Sequence, residues 1–476
     1  MRGTARATST GKADNVVMSA IETLRHAVGA DEVVEGAAID ARYLRDWVVP
    51  MASGLPLALV RPKTTMEVSD VVRICHEARI PVVPQGGLTG LAGGATPIDG
   101  CVVLSLDRMI GVEEIDEAAA TLTALAGTPL QTIQEAARAA GFLFALDLGA
   151  RGSCQIGGNV ATNAGGNRVI RYGMTRDLVL GLEVVLADGT VMSSLNKLIK
   201  NNAGFDLRQL FVGSEGTLGI ITRVVLRLHA QPRSQCTAFC SVGDYDQVIG
   251  LLRHAREWLG SSLSAFEVMW PDFYDLMTGP DGGVAPPIAR GAGAYVLVEA
   301  FGSDAVRDPQ HFEEMLAAAV ETNLVADGVV AHAEAEARGF WRVRDASAEF
   351  PRLGWPSLGY DIGIPTRDIG RFVDECSRAI RTRWAGAATA FFGHIGDSNL
   401  HLHVKLPPGH ADADVPPLVY DLVRRWHGTT SAEHGIGTLR RPYLSYTRSA
   451  EEIALMRQLK HALDPRGILN PGKVLP

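Results

Sequence analysis

The stretch Gly149-Ala-Arg-Gly-Ser-Cys-Gln-Ile-Gly-Gly-Asn-Val-Ala-Thr-Asn-Ala-Gly-Gly166 decides how this chain is read. Six of its eighteen residues are glycine and only Arg151 is charged, so it reads as neither a helix face nor an ordinary strand. Such a run lets the backbone approach a bulky planar or phosphorylated ligand and offers it N–H groups and small polar side chains. A flexible linker would be polar and monotonous. This stretch instead carries Ile156, Val160 and Asn163 and leads into an apolar strand expected at Leu178–Leu186, so it reads as one wall of a ligand site.

Toward the N-terminus, Pro84-Gln-Gly-Gly-Leu-Thr-Gly-Leu-Ala-Gly-Gly94 follows a strand expected at Pro81–Pro84 and presents consecutive N–H groups suited to a pyrophosphate. It lacks the G-x-G-x-x-G spacing of a dinucleotide fold, and a glycine-rich turn that binds nothing has the same look. Around it the chain alternates a strand at Leu57–Val60, an amphipathic helix at Thr65–Ala78 and a strand at Val102–Leu106. A second α/β block holds a helix at Leu130–Ala140, the glycine wall, the strand at Leu178–Leu186, a turn at Asp188-Gly189 and a last strand at Gly219–Leu228. A helix over 14–28 opens the chain, after a first dozen residues that hold Arg2, Arg6 and Lys12 with no acid, faintly like a transit peptide, and that read rather as a short disordered tail. Beyond Gln231-Pro232, strands at Thr237–Val242, Leu263–Trp270 and Ala294–Phe301 alternate with helices at Tyr245–Leu259 and Pro309–Asn323, which predicts an antiparallel sheet backed by helices.

The bulk numbers bound the function. With 46% hydrophobic and 21% charged residues over 476, the composition is that of an ordinary globular protein of about three domains. A net charge of −8 and the lack of any basic run argue against nucleic acid as a partner. No apolar stretch reaches the roughly 18 residues that a membrane span requires. Cys75, Cys101, Cys154, Cys236, Cys240 and Cys376 have no zinc-ribbon or disulfide-framework spacing, which predicts a reducing, cytoplasmic compartment. Cys236 and Cys240 are expected as a buried pair on one face of a strand.

Histidines gather late, in Gly393-His-Ile-Gly-Asp-Ser-Asn-Leu-His-Leu-His403 and Ser431-Ala-Glu-His-Gly-Ile-Gly437. A turn at Gly396–Asn399 lets His394 and His401 face each other, and Glu433 completes a set of two imidazoles and one carboxylate suited to zinc or a similar divalent ion. Histidines that merely cap a turn fit the same spacing. Glu433 and His434 are neighbours expected to point to opposite sides, which leaves one of them free to take protons. His403 reads as structural. The tail Gly467-Ile-Leu-Asn-Pro-Gly-Lys473 mimics a P-loop but lacks the Ser or Thr for magnesium and any room for a following helix.

With Asn202-Ala-Gly-Phe-Asp206 and Leu210-Phe-Val-Gly-Ser-Glu-Gly-Thr-Leu-Gly-Ile-Ile221 added to the two glycine stretches, the set resembles the flavin domain of the vanillyl-alcohol oxidase and p-cresol methylhydroxylase superfamily. Over residues 40–476 the chain resembles its branch of D-2-hydroxyglutarate dehydrogenase, D-lactate dehydrogenase and the glycolate oxidase flavoprotein subunit. The resemblance implies an α+β fold. A helical segment (1–54) precedes a two-subdomain α/β FAD-binding domain of the p-cresol methylhydroxylase type (55–230, dividing near 115). An α+β cap with an antiparallel sheet (231–425) and a C-terminal segment that completes the active site (426–476) follow.

It also implies FAD along Pro84, Gln85, Gly86, Gly87, Leu88, Thr89, Gly90 and Leu91 at the pyrophosphate, and along Ser153, Gly157, Gly158, Asn159, Thr162, Asn163 and Gly165 at the isoalloxazine and ribityl. Glu215, Gly216 and Ile221 fall near the adenine end, and Asn470 of the closing Asn470-Pro-Gly-Lys473 motif reaches toward the flavin. The first loop holds no His or Cys for a covalent flavin bond, so FAD is expected to be non-covalent. Leu88, Ala203 and Phe205 stand where the branch usually has Asn, Thr and Tyr.

In the distal cluster the resemblance gives His394, His401 and Glu433 to a divalent metal (zinc, with manganese as the alternative), His434 to proton abstraction, and Asn399 and Arg344 of Trp341-Arg-Val-Arg-Asp345 to the substrate. The Thr and Lys that assist this arginine in hydroxyglutarate dehydrogenases are Ala348 and Gly359 here. Leu353, Trp355 and Leu358 lie in the same segment and could form an apolar wall.

The expected reaction is oxidation of a D-2-hydroxy acid with a small or apolar side chain, such as D-lactate or D-mandelate, with D-2-hydroxyglutarate as the alternative substrate. An electron-transfer flavoprotein, quinone or cytochrome would accept the electrons, and a homodimer is possible. Two other classes fit parts of the pattern. A flavin-free metallohydrolase leaves the glycine motifs unexplained. A non-catalytic flavoprotein subunit of a larger glycolate-oxidase-like complex keeps them without turnover.

Overall fold

A computed structural model describes residues 7–48, 54–356 and 359–476, with side chains from residue 17 onward. The opening helix is Ala7–Val28, longer than expected, so of the anticipated tail only 1–6 lie outside the described residues.

Two main sheets and a two-stranded ribbon, Phe142–Leu143 with His229–Ala230, build the described part of the first half. In one, Val33–Glu35 pairs antiparallel with Ala58–Val60, which runs parallel to Val102–Ser105, itself parallel to Val82–Gln85. Ala20, Ile21 and Leu24 of the opening helix share a core with Val68, Val71 and Val72 of the helix Thr65–Ala78. The N-terminal segment is thus an integral layer of this sheet, because its apolar stripe has no other face to cover it. The second sheet is antiparallel, in the order Val112–Asp116, Thr121–Leu125, Ile220–Arg227, Val179–Val185, Val191–Ser194. The hairpin at 112–125 puts the change of sheet before Val112. The C-terminal tail returns to the first sheet, where Asn470 N donates to Val82 O and Val82 N to Ile468 O, both at 2.8 Å, just ahead of the 84–94 loop.

The second half is a seven-stranded, wholly antiparallel sheet in the order Asp327–Val330, Ser234–Val242, Ala294–Gly302, Leu263–Met269, Ala388–His394, Asn399–Lys405, Tyr360–Gly363. Successive side chains of a strand point to opposite faces. Phe266, Val268, Phe391, Leu400, Leu402 and Ile362 therefore pack with the helices Tyr245–Leu259, Arg307–Glu321 and Ile369–Arg383 on one side. Met269, Ala390 and Phe392 pack on the other side with the helices Pro271–Thr278 and Glu334–Asp345. The same alternation sends Glu267, Asp361, His394, His401 and His403 to that second face. Six cysteines are buried and unpaired, and no helix among the described residues is long and apolar enough to cross a membrane.

Candidate active site

The glycine stretches meet. A Cβ on Gly87 would lie 2.0 Å from Ser153 O, one on Gly86 3.7 Å from Gly158 Cα, and one on Gly216 2.5 Å from Pro84 Cγ. Contrary to the sequence reading, the 149–166 wall contains a short helix, Ile156–Ala161. Gly157 makes it possible, since a Cβ there would fall 2.6 Å from that of Ala126 at the end of the neighbouring strand. Around this junction Gln85 Oε1, Gln155 Oε1, Asn159 Oδ1, Ser214 Oγ and Asn470 Oδ1 are buried without a hydrogen-bond partner. Gly158 opens onto free space. Buried polar groups are paired as a rule, so orphans converging on a glycine-lined opening fit a large polar ligand such as FAD.

Asn470 Nδ2 donates to Gly94 O at 3.0 Å and to Glu215 O at 2.8 Å, which ties the tail to two of the motifs. The Asn163 carboxamide accepts from Arg176 N, and Thr162 Oγ1 donates to Gly158 O. Ser153 is exposed, and Gly90 packs against the Asp46 carboxylate. Ile221 belongs to the apolar core. Leu88 adopts φ +57°, a conformation that Asn takes more easily than Leu.

The histidine cluster sits on the second face of the cap sheet. His394 ends one strand, His401 lies in the next, and their rings are 5.4 Å apart. Three imidazole nitrogens surround Glu433 Oε1: Nε2 of His401 and of His434 at 3.6 Å, and Nε2 of His394 at 3.9 Å. Ligand atoms about 2.0–2.1 Å from a tetrahedral zinc ion lie about 3.4 Å from one another. Among the described residues the group whose ligand atoms all lie within 4.8 Å of one another is Asp361, His401, Glu433 and His434, a donor set of a type that suits a divalent metal; it leaves out His394, whose Nε2 meets Arg344 Nη2 at 2.7 Å. Glu433 Oε2 accepts from Gly166 N at 3.0 Å, which brings the cluster against the glycine wall.

Residues 231–474 match the family described as FAD linked oxidases, C-terminal domain, and residues 56–194 match the FAD binding domain. D-2-hydroxyglutarate dehydrogenase, mitochondrial, of Danio rerio is 40% identical over 90% of this chain and 80% of that protein. D-2-hydroxyglutarate dehydrogenase of Xanthomonas citri pv. viticola is 38% identical over 95% of this chain and 96% of that protein. The chain belongs to the FAD-linked oxidases. Within them it falls in the D-2-hydroxyacid dehydrogenase branch of FAD-dependent enzymes acting on CH–OH donors. The structure of substrate-bound p-cresol methylhydroxylase, 15% identical, matches the fold at a TM-score of 0.77 over 97% of both chains.

The structure of this FAD-linked oxidase corrects the reading of Glu433 and His434. Both point into the cluster, and the His434 ring stacks on His401 at 5.6 Å. The alternation rule fails because the segment is a loop. Asp361, buried in the strand Tyr360–Gly363, accepts from Glu433 N at 3.0 Å and from His434 N at 2.7 Å, and folds the backbone around its carboxylate.

Sequence reasoning missed Asp361 and Glu267, although a lone acid in an apolar strand was a signal available in both. Glu267 faces His394 across the sheet, accepting at 2.6 Å from His394 Nδ1 and at 2.8 Å from Arg344 Nε. Burial pushes its carboxyl up, but His394 and Arg344 outweigh that and bring it down to about 2. Arg344 Nη2 also meets His394 Nε2 at 2.7 Å. Asn399 Nδ2 donates to Asp361 Oδ1, while Asn399 Oδ1 is buried and unpartnered.

Gly359 continues the register opposite His403, and a Cβ there would lie 2.4 Å from His403 Nε2. His403 fills the space a side chain at 359 would need, and burial lowers its pKa to about 4, so it is neutral near pH 7. Its ring stacks on Phe350 at 3.9 Å. Leu353 and Trp355 pack on the same cluster as Phe350 and Phe392. Ala348 is exposed, and Leu358 lies outside the described residues.

Proposed function

We propose that this enzyme oxidises a D-2-hydroxy acid with a small or apolar side chain to its 2-keto acid, with a divalent metal on His394, His401 and Glu433 and with His434 as base. The observation that carries the reading is the hydrogen bond from Gly166 N to Glu433 Oε2, because it joins a metal-type donor cluster to the glycine wall that fits a flavin. FAD, when bound, supplies the acceptor for the hydride leaving Cα. The metal, when held, lowers the pKa of the hydroxyl and contributes several kcal/mol of charge stabilisation.

The chain's own residues do the rest. Arg344, with Nε held by Glu267 and Nη2 by His394, offers Nη1 to the substrate carboxylate in a charge-assisted hydrogen bond. Asn399 Oδ1 accepts from the substrate hydroxyl before His434 Nε2 removes its proton. As Cα gives up its hydride, the C–O bond becomes a carbonyl. Phe392 lies under Arg344, 5.3 Å from the guanidinium carbon, and 5.0 Å from the His401 ring. With Phe350, Leu353 and Trp355 it offers the substrate side chain an apolar wall that lacks the Lys and Thr partners expected in hydroxyglutarate dehydrogenases, where a buried second carboxylate is costly.

A second reading, D-2-hydroxyglutarate, is favoured by the names of the relatives and by Lys405. Its ammonium lies 5.9 Å over the Trp355 ring and donates to Leu353 O at 3.4 Å, so it offers a cation at the rim of the apolar wall. Reoxidation falls to an external acceptor such as an electron-transfer flavoprotein, quinone or cytochrome, and the buried thiols suit a cytoplasmic setting. Anaerobic mixing of the FAD-loaded, metal-loaded enzyme with D- and L-2-hydroxy acids tests the reaction. Rapid bleaching of the flavin by the D-isomers alone is expected, and bleaching by neither isomer would refute it.

A further inference from the structure

We infer that Asp361 is a positioning residue for the reaction proposed above, one that aims Glu433 and His434 into the same cluster. The inference rests on that reading of His434 as base. Asp361 is fully buried, with a relative exposure of 0%. A carboxylate so far from water is tolerated only when its charge is met by hydrogen bonds or by opposite charge. No lysine or arginine pairs with it among the described residues. Three of its partners belong to the proposed site, Asn399 Nδ2 at 2.9 Å on Oδ1 and Glu433 N at 3.0 Å and His434 N at 2.7 Å on Oδ2, and the fourth, Ser431 Oγ at 3.0 Å on Oδ2, lies in the same loop as Glu433 and His434.

Two consequences follow from this geometry. Two successive N–H groups converging on one carboxylate oxygen curl the backbone, and that curl puts the side chains of adjacent residues on one side. The carboxylate also stands 3.9 Å from His434 Nδ1, a buried nitrogen with no partner of its own, and 4.0 Å from His401 Nδ1. It therefore favours the tautomer with the proton on Nδ1, which leaves the Nε2 lone pair facing Glu433 and the substrate. With no hydrogen bond to Nδ1, Asp361 acts on this imidazole through the field of its charge and through the backbone N–H of His434 that it holds.

The test is Asp361→Asn in the FAD-loaded and metal-loaded enzyme. The amide keeps the volume but loses the charge, and its NH2 meets either the Asn399 NH2 or the two loop amides. Flavin absorbance should match the parent, metal affinity should fall as Glu433 loosens, and at saturating metal KM should stay within about threefold. Because orienting and general-base effects are typically about 10²–10⁴-fold, kcat should fall at least about 30-fold. The solvent isotope effect on flavin reduction should rise and the C2-deuterium effect fall, because proton removal becomes slower than hydride transfer. Hydrogen exchange at the amides of Glu433 and His434 should quicken, an outcome independent of what the site catalyses.

Parent-like kcat with parent-like exchange would overturn the inference. So would a joint fall in kcat, melting temperature and flavin content with unchanged isotope effects, the pattern of a merely structural acid. If His434→Ala retains turnover while exchange still quickens in Asp361→Asn, the base assignment fails and the positioning of the loop stands. Should Asp361→Asn not accumulate, Asp361→Glu carries the test, with at least a tenfold loss of kcat expected and parent-like turnover contradicting it.

Discussion

Glu433 Oε2 accepts a hydrogen bond from the backbone N–H of Gly166 at 3.0 Å across 267 residues of sequence. Glycine at the preceding position leaves room for that carboxylate, since a Cβ on Gly165 would lie 2.8 Å from the same oxygen and the Glu433 side chain would have to shift. Gly165→Ala should therefore displace Glu433, weaken metal binding at least tenfold and lower kcat in step, with most of the flavin retained. Metal titration followed by activity checks this, and parent-like metal affinity would show the contact to be incidental.

Chelation of the proposed metal should separate the two halves of the site. His394, His401 and Glu433 supply two imidazoles and a carboxylate, whereas the orphaned polar atoms that fit FAD lie around Gln85, Asn159 and Asn470. Chelation should abolish turnover and leave the flavin spectrum unchanged. Full activity in protein shown by elemental analysis to be metal-free would remove the metal from the account.

His434→Ala should keep flavin and metal and lower kcat by about 10²-fold or more, the usual worth of a general base. A variant within a few-fold of the parent would transfer the role to another group.

FAD should be released intact by acid or heat, because the 84–94 loop has Leu88 and no histidine or cysteine able to bond the flavin ring. After denaturation and centrifugation the yellow colour should stay in the supernatant. A yellow pellet would contradict this.

Part of the candidate site's geometry was legible in the sequence, and the gaps have physical causes. His394 and His401 could be paired from sequence because a short turn between two strands brings its flanks together whatever surrounds it. Glu267 and Asp361 were within reach, since period-two alternation in Leu263–Met269 and Tyr360–Gly363 opposes each acid to its buried apolar neighbours. The direction of Glu433 and His434 was not legible. It is set by a carboxylate 72 and 73 residues away, and nothing local to the loop encodes that contact. The first half read well as strands and helices, but the opening helix looked separate because only the sheet it covers shows it to be integral.

The relation between Gly359 and His403 was equally hidden, because it is a contact between neighbouring strands. It predicts that Gly359→Lys alone destabilises the cap, with the new Cβ 2.4 Å from the His403 ring. Combined with His403→Ala, the lysine should be accommodated and raise kcat/KM for D-2-hydroxyglutarate relative to D-lactate at least tenfold. Equal selectivity in parent and double variant would show that position 359 does not face the substrate.

The most direct measurement is kcat/KM for D-mandelate, D-lactate and D-2-hydroxyglutarate, side by side, on the FAD-loaded and metal-loaded enzyme with an artificial dye acceptor. A charge-assisted hydrogen bond missing from the second carboxylate is worth about 1.5–3 kcal/mol, or more than tenfold. D-lactate or D-mandelate should exceed D-2-hydroxyglutarate by at least that factor. A clear win for the dicarboxylate would contradict it and give Lys405 the role of second anchor.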